Sequence, residues 1–224
     1  TVTVALNGQS YTGSVSAGSA AIVVAAADLQ ALTEGTVAYT VDVTDSAGNA
    51  ATQHSGSFSY DATAPAILSS AVDCGAVLSA SEDNSDAVLS ITTSGVEDGQ
   101  EASLSLAGET YQGTVTGNTA SFTVSASELQ SLSEGAVTYS VDVSDSAGNA
   151  ATQHSGSFSY DASASIVSSA FGFGAVLNAT EDNGDATLTV TTADVDDGST
   201  VTVALNGQSY TGTVSAGSAA IVVA

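Results

Sequence analysis

The sequence predicts an all-β fold: a tandem array of Greek-key β-sandwich domains of about 100 residues each. Three observations carry this. The apolar residues are mostly Ala and Val set among Ser, Thr and Gly, a mixture that suits strands and turns better than helices. Several segments alternate apolar and polar residues with period two. Long stretches also recur at a separation of one domain length.

The recurrence sets the domain plan. Residues 39–62, YTVDVTDSAGNAATQHSGSFSYDA, return at 139–162 with only Thr40 and Thr44 replaced, by Ser140 and Ser144. Further on, GAVLSASEDN from Gly75 matches GAVLNATEDN from Gly174. Residues 1–25 recur at 200–224 with one change, Ser14 to Thr213, while the intervening copy at 101–125 is far more divergent. Two domain types therefore alternate. DATAP (61–65) and DASAS (161–165) read as linkers. This gives a complete domain over 63–162, flanked by the C-terminal part of one repeat (1–62) and the N-terminal part of another (163–224). Neither flank can close a sandwich alone, because each exposes strand edges and half a core.

The strands follow in order. Val2, Val4 and Leu6 lead into Asn7-Gly8, a strong hairpin signal. Ile22 and Val24, matched by Phe122 and Val124, mark another strand. In the middle domain Ala87, Leu89 and Ile91 share one face, with Val88, Ser90 and Thr92 on the other; Ala186, Leu188 and Val190 repeat this. One helical turn is expected near 129–132. Val137, Tyr139, Val141 and Val143 then point inward, and Thr138, Ser140, Asp142 and Ser144 outward. Leu132, Gly135 and Tyr139 have the spacing of a tyrosine corner, which gives Tyr139 a structural role. A last strand ends in Phe158 and Tyr160, for about seven strands per domain.

Composition excludes several functions. The 224 residues carry a formal charge of −24 with no Lys and no Arg, so nothing can neutralise phosphates or anionic lipid. Nucleic-acid binding and attraction to a membrane surface are excluded, and no apolar run is long enough to insert in a bilayer. Hydrophobic content of 43% is enough for cores, so the acidity does not mark a disordered chain. Cys74 has no intrachain partner and reads as a small packed thiol. No nucleophile motif is present, His54 and His154 stand alone at one repeat position, and no small-molecule substrate is implied. The chain reads as a non-enzyme. Asn178-Ala179-Thr180 matches the short N-glycosylation pattern.

YxVDVxDSAGNAAT followed by SFSYDATAP resembles the bacterial Ig-like repeats of giant RTX-type surface adhesins, over the complete domain and both partial ones. The resemblance implies an Ig-like Greek-key sandwich, an extracellular place at a bacterial cell surface, and a role as an extender whose partners are the adjacent repeats. It also implies calcium (Ca2+) at the domain junctions. One departure concerns Asp73, whose counterpart in the third copy is Gly172.

Ig-like topology says which carboxylates can meet. At the first junction these are Asp61, Glu97, Asp98, Asp145 and Asn149; at the second, Glu82, Asp83 and Asp161 with Asp194, Asp196 and Asp197. Each set offers several hard oxygen ligands of the kind calcium takes. The alternative is that these are solvated turn residues, with DSAGN only a tight turn.

Three functions remain open on the sequence. The first is a mechanical spacer, stiffened by calcium. The second is a filament subunit whose ends are completed by neighbouring molecules, which concentration-dependent fibres would reveal. The third is a module that binds glycan or protein through its loops, which retention of one domain on a glycan surface would reveal.

Overall fold

The computed structural model describes all residues, 1–224. Seventeen strands and two single helical turns divide between two compact units. The first unit comprises residues 1–71, 89–122 and 139–156, the second 72–88, 123–138 and 157–224, and several strands of the middle copy run through both.

The first unit opens with β1 (Val2–Leu6) and β2 (Gln9–Gly13), joined by Asn7 and Gly8 at φ 48° and 76°. Two positive φ values are what a type I′ turn demands, and Asn-Gly supplies them. After α1 (Ala26–Gln30) come β3 (Gly35–Val43) and β4 (His54–Tyr60), giving an antiparallel sheet in the order β2-β1-β3-β4. Leu6, Leu32 and Val37 form its core, with Tyr11, Val24, Tyr39 and Tyr60 packed around them.

The middle copy carries eight strands rather than seven. β5 (Ala66–Val72), β6 (Val77–Ser79), β7 (Ala87–Ser94), β8 (Glu101–Leu106), β9 (Glu109–Thr114) and β10 (Thr119–Val124) precede α2 (Ala126–Leu129). β11 (Gly135–Val143) and β12 (His154–Asp161) complete it. The sheets run β10-β7-β5 and β6-β12-β11-β8-β9. The unexpected strand is β6, whose three residues pair in parallel with Ser159–Asp161 and are too few to show a period of their own. The helical turn begins at Ala126, earlier than expected, because Ser125 and Glu128 form a capping box around its first amides.

Alternation sets the core as read from the sequence. Leu89 and Ile91 on β7, Leu104 on β8, Phe122 on β10 and Val141 on β11 are each buried, while Val88 is exposed. Val137, Tyr139 and Val143 are buried on the same side of β11 as Val141.

In the second unit β13 (Ser165–Phe171) and β14 (Ala186–Ala193) are followed by the hairpin of β15 (Thr200–Leu205) and β16 (Gln208–Thr213), and by β17 (Ser218–Val223). The sheet order is β13-β14-β17, and Leu188, Val190 and Ile221 form the core.

The strand expected around Ile22 and Val24 is not formed. Residues 19–24 and 218–223 have the same sequence, SAAIVV, yet only the second is a strand, paired along Ala186–Thr191 of β14. The difference is the neighbour: β17 has β14 beside it, and residues 19–24 have no such strand. Burial follows suit. Val15 is 50% exposed and its counterpart Val214 only 1%, whereas Leu6 is 5% exposed and Leu205 42%.

Candidate functional site

The first linker meets the DSAGN loop of the middle copy. Asp145 follows β11 and is buried at 4% exposure. Its Oδ1 accepts from the Asn149 backbone N–H (2.8 Å) and its Oδ2 from the Asn149 side-chain amide (2.9 Å). Burial opposes the charge, but the Asn149 amide and the N–H groups of Asn149, Ala147 and Gly148 outweigh it and hold the carboxyl below its usual range. The same turn recurs at Asp45 and Asn49, so DSAGN is a carboxylate-closed turn in both copies.

This turn reaches its neighbours through two donors. Ser146 N–H donates to Glu97 Oε2 at 2.8 Å, which with the Ser146 side chain lowers the Glu97 pKa, and the Asn149 side-chain amide donates to the Asp61 carbonyl at 3.3 Å. Asp61, Glu97, Asp145 and Asn149 are thereby brought together. Asp98 is engaged elsewhere, accepting from Gly117 N–H at 2.8 Å.

At the second linker the structure gathers a different set. Glu134, Asp161, Asp194 and Asp196 line one cleft beside Tyr160 and Ser159. Glu82 and Asp83 are not in it. Glu82 Oε2 accepts from Ser79 N–H (3.0 Å) and Oγ (2.8 Å), closing its own turn, and those bonds lower its pKa. Asp83 is 6% exposed and accepts from Tyr160 Oη at 2.8 Å. Asp197 accepts from Ala216 N–H at 2.7 Å, the counterpart of Asp98 and Gly117.

Glu134 lies outside the set of carboxylates to which Ig-like loop topology points. Its mark in the sequence is an acidic residue followed by Gly at the head of the same strand in two copies, Glu34-Gly35 and Glu134-Gly135. Asp194 also stands out. It has φ 55°, where the first junction has Gly95 at φ 76°, and a Cβ on Gly95 would lie 3.4 Å from Pro65 Cα. The first junction therefore packs proline against glycine, and the second replaces that contact with a carboxylate on a left-handed residue.

No three of the acidic, histidine or cysteine side chains converge into a preformed metal cage. The donor set around the second cleft is nonetheless all hard oxygen, as calcium requires, and no hydrogen bond engages the carboxylates of Asp161, Asp194 and Asp196. That chemistry fits a divalent cation in an open site.

The remaining candidates are structural. His154 Nε2 and Tyr139 Oη each hydrogen-bond Ser70 Oγ, at 2.9 and 2.8 Å, and no carboxylate orients the other imidazole nitrogen. His54 is exposed. Asp73 Oδ2 accepts from Val88 N–H at 2.9 Å, which fixes the end of β5. Cys74 is partly buried, and burial together with Asp73 and Glu82 pushes its thiol pKa up, away from reactivity. Asn178 is exposed and bonded to Glu181. No helix is long and apolar enough to cross a membrane.

Comparison with protein-family models and with curated proteins gave no match. Solved structures did. A structure of a bacterial ice-binding adhesin of 1.5 MDa, studied for host cell surface retention, is 28% identical with a TM-score of 0.51, covering 99% of this chain and 74% of that one. A Ca2+-stabilized adhesin with which an Antarctic bacterium reaches out and binds ice is 31% identical over 99% of this chain, with a TM-score of 0.45; this chain spans 56% of it. A tetra-tandem repeat from the extending region of a large adhesion protein is 21% identical, with a TM-score of 0.40, over 99% of this chain and 57% of that one.

Proposed function

We propose that this chain, a set of Ig-like β-sandwich repeats similar to those of large bacterial adhesins, is an extender segment of an extracellular protein at a bacterial cell surface. The observation that supports this best is the repetition itself. Near-identical copies joined by linkers of a few residues supply length and stiffness. Its partners are the adjacent repeats, divided at 1–62, 63–162 and 163–224.

Calcium at the junctions belongs to the same reading. Asp161, Asp194 and Asp196, with Glu134 beside them, would hold it at the second junction, and the free oxygens of Asp61 and Glu97 at the first. The bound cation would offset the repulsion of carboxylates in a chain that has no Lys or Arg. Affinity on the order of 10⁻⁴–10⁻³ M suits an extracellular module.

The test is thermal unfolding of the chain in calcium and in chelator, with its solution length from X-ray scattering. The expected result is a higher Tm and a longer, stiffer particle in calcium. Equal Tm and equal length in both would remove calcium from the proposal. A flexible, collapsed particle under both conditions would remove the extender.

A further inference from the structure

Both linkers leave the last strand of a repeat and pass the same kind of residue. Gly35 opens β3 opposite Tyr60, the last residue of β4. Glu34, one position earlier, therefore lies where the ladder runs out and the linker begins. Its Oε1 accepts from Ala62 N–H at 3.1 Å and from Thr63 Oγ1 at 2.6 Å. One repeat later Glu134 precedes Gly135 and does the same. Its Oε1 accepts from Ala162 N–H at 3.2 Å and its Oε2 from Ser163 Oγ at 3.1 Å.

The recurrence is chemically specific. Residues 62 and 162 are both Ala, so the donor is the backbone, while 63 and 163 are Thr and Ser, which keep the hydroxyl although the side chain changes. Asp61 adds a third bond at the first linker, accepting from Thr63 N–H at 3.1 Å. Gly35 and Gly135 have φ 109° and 108°, a conformation few other residues adopt, which turns the chain at the point where each carboxylate leaves it.

We propose that Glu34 and Glu134 are the positioning residues of the linkers, clamping residues 62–63 and 162–163 through acceptor oxygens and without metal. This deepens the extender reading and rests on it for its purpose: a fixed exit path is what makes a chain of repeats stiff. The clamp itself is independent of calcium. Glutamine keeps one acceptor oxygen and loses the charge, so it preserves the bond from the Ala62 or Ala162 amide while impairing any cation site. Alanine removes both.

The experiment is amide hydrogen exchange on the whole chain in chelator, comparing the wild type with Glu34→Ala, Glu134→Ala and the two Gln variants. In the wild type the Ala62 and Ala162 amides are expected to be protected, with Ala62 losing protection as acid protonates Glu34. Each Ala variant should lower protection at its own linker by about two- to tenfold, the weight of one hydrogen bond. Protection should be largely restored by Gln, and core amides such as those of Leu104 and Val141 report that the fold is intact. Unprotected linker amides in the wild type, or protection unchanged in the Ala variants, would overturn the clamp. Loss in the Gln variants equal to that in Ala would overturn it too, by assigning the effect to charge. Because chelator is present throughout, failure of the calcium proposal leaves these outcomes untouched.

Discussion

Tyr160 Oη donates to Asp83 Oδ2 at 2.8 Å, joining the last residues of β12 to the loop between β6 and β7. Both residues are buried, at 6% exposure each. A carboxylate in that position needs its donor. Tyr160→Phe should cost about 1–3 kcal/mol in denaturant unfolding, because Asp83 remains buried and loses its partner. The bond also raises the Tyr160 pKa, with burial adding to it. A raised pKa contributes stability that is complete below the ordinary tyrosine pKa and is lost as pH rises through the folded value. Stability should therefore fall on the alkaline side, and Tyr160→Phe should flatten that fall.

Gly156 lies against the ring of Tyr139. A Cβ there would collide with the Tyr139 Oη and Cζ atoms, and Gly56 stands in the same relation to Tyr39. The tyrosine hydroxyl is hydrogen-bonded to Ser70, so the ring cannot swing away without losing that bond. Gly156→Ala should lower stability by about 1–3 kcal/mol, as overpacking does in a closed core. Equilibrium unfolding checks it, and an unchanged midpoint would mean that the ring yields freely.

Acid acts on this chain in two opposing ways. Protonation relieves the self-repulsion of a molecule with charge −24. It also removes carboxylates that accept bonds in the fold: Glu34, Asp45, Glu82, Glu97 and Asp145 all have lowered pKa values. For a lowered pKa the contribution is present above the unfolded value and is lost as pH falls through the folded one. Stability should then decline below the ordinary carboxylate range even though net charge is shrinking. Asp145→Asn should make that decline shallower in a pH series of thermal unfolding.

Much of the fold was legible because strand alternation and the hairpin signals are local. Leu89, Ile91 and Val141 announce their face within five residues, and Asn7-Gly8 announces its turn in two. What a strand pairs with is not local. SAAIVV at 19–24 and 218–223 carries the same information and ends in different structures, because pairing belongs to β14 and not to the segment. The placement of the acidic residues divides the same way. Loop topology brought Asp61, Glu97, Asp145 and Asn149 together, and Asp161, Asp194 and Asp196 likewise. Glu82, Asp83, Asp98 and Asp197 depart from it because each satisfies a donor, from Ser79, Tyr160, Gly117 and Ala216 respectively, that charge counting does not reveal. Glu134 leaves little mark in the sequence because it bonds to a backbone amide, which nearly every residue possesses.

The lack of cations gives salt an unusual leverage. With 24 side-chain carboxylates and no Lys or Arg, the long-range interactions among charged side chains are repulsive at neutral pH. Sodium chloride screens these interactions over roughly 10 Å at 0.1 M. Tm should rise steadily with sodium chloride, where a protein of mixed charge shows little change. A flat response would mean that the carboxylates are already too far apart to interact.

Asp194 separates specific calcium binding from this general screening. Its φ of 55° is strained for a residue with a side chain, and Gly95 fills the same position at the first junction. Asp194→Gly should therefore stabilise the chain slightly in chelator, by about 1 kcal/mol or less, through relief of the left-handed backbone. It also removes a carboxylate from the second cleft, so the calcium-dependent rise in Tm should shrink while the sodium chloride response stays the same. Unfolding at matched ionic strength with calcium, with sodium chloride and with chelator distinguishes the two effects. If the variant responds to calcium as the wild type does, Asp194 is a turn residue and the cation, where it binds, is held by others.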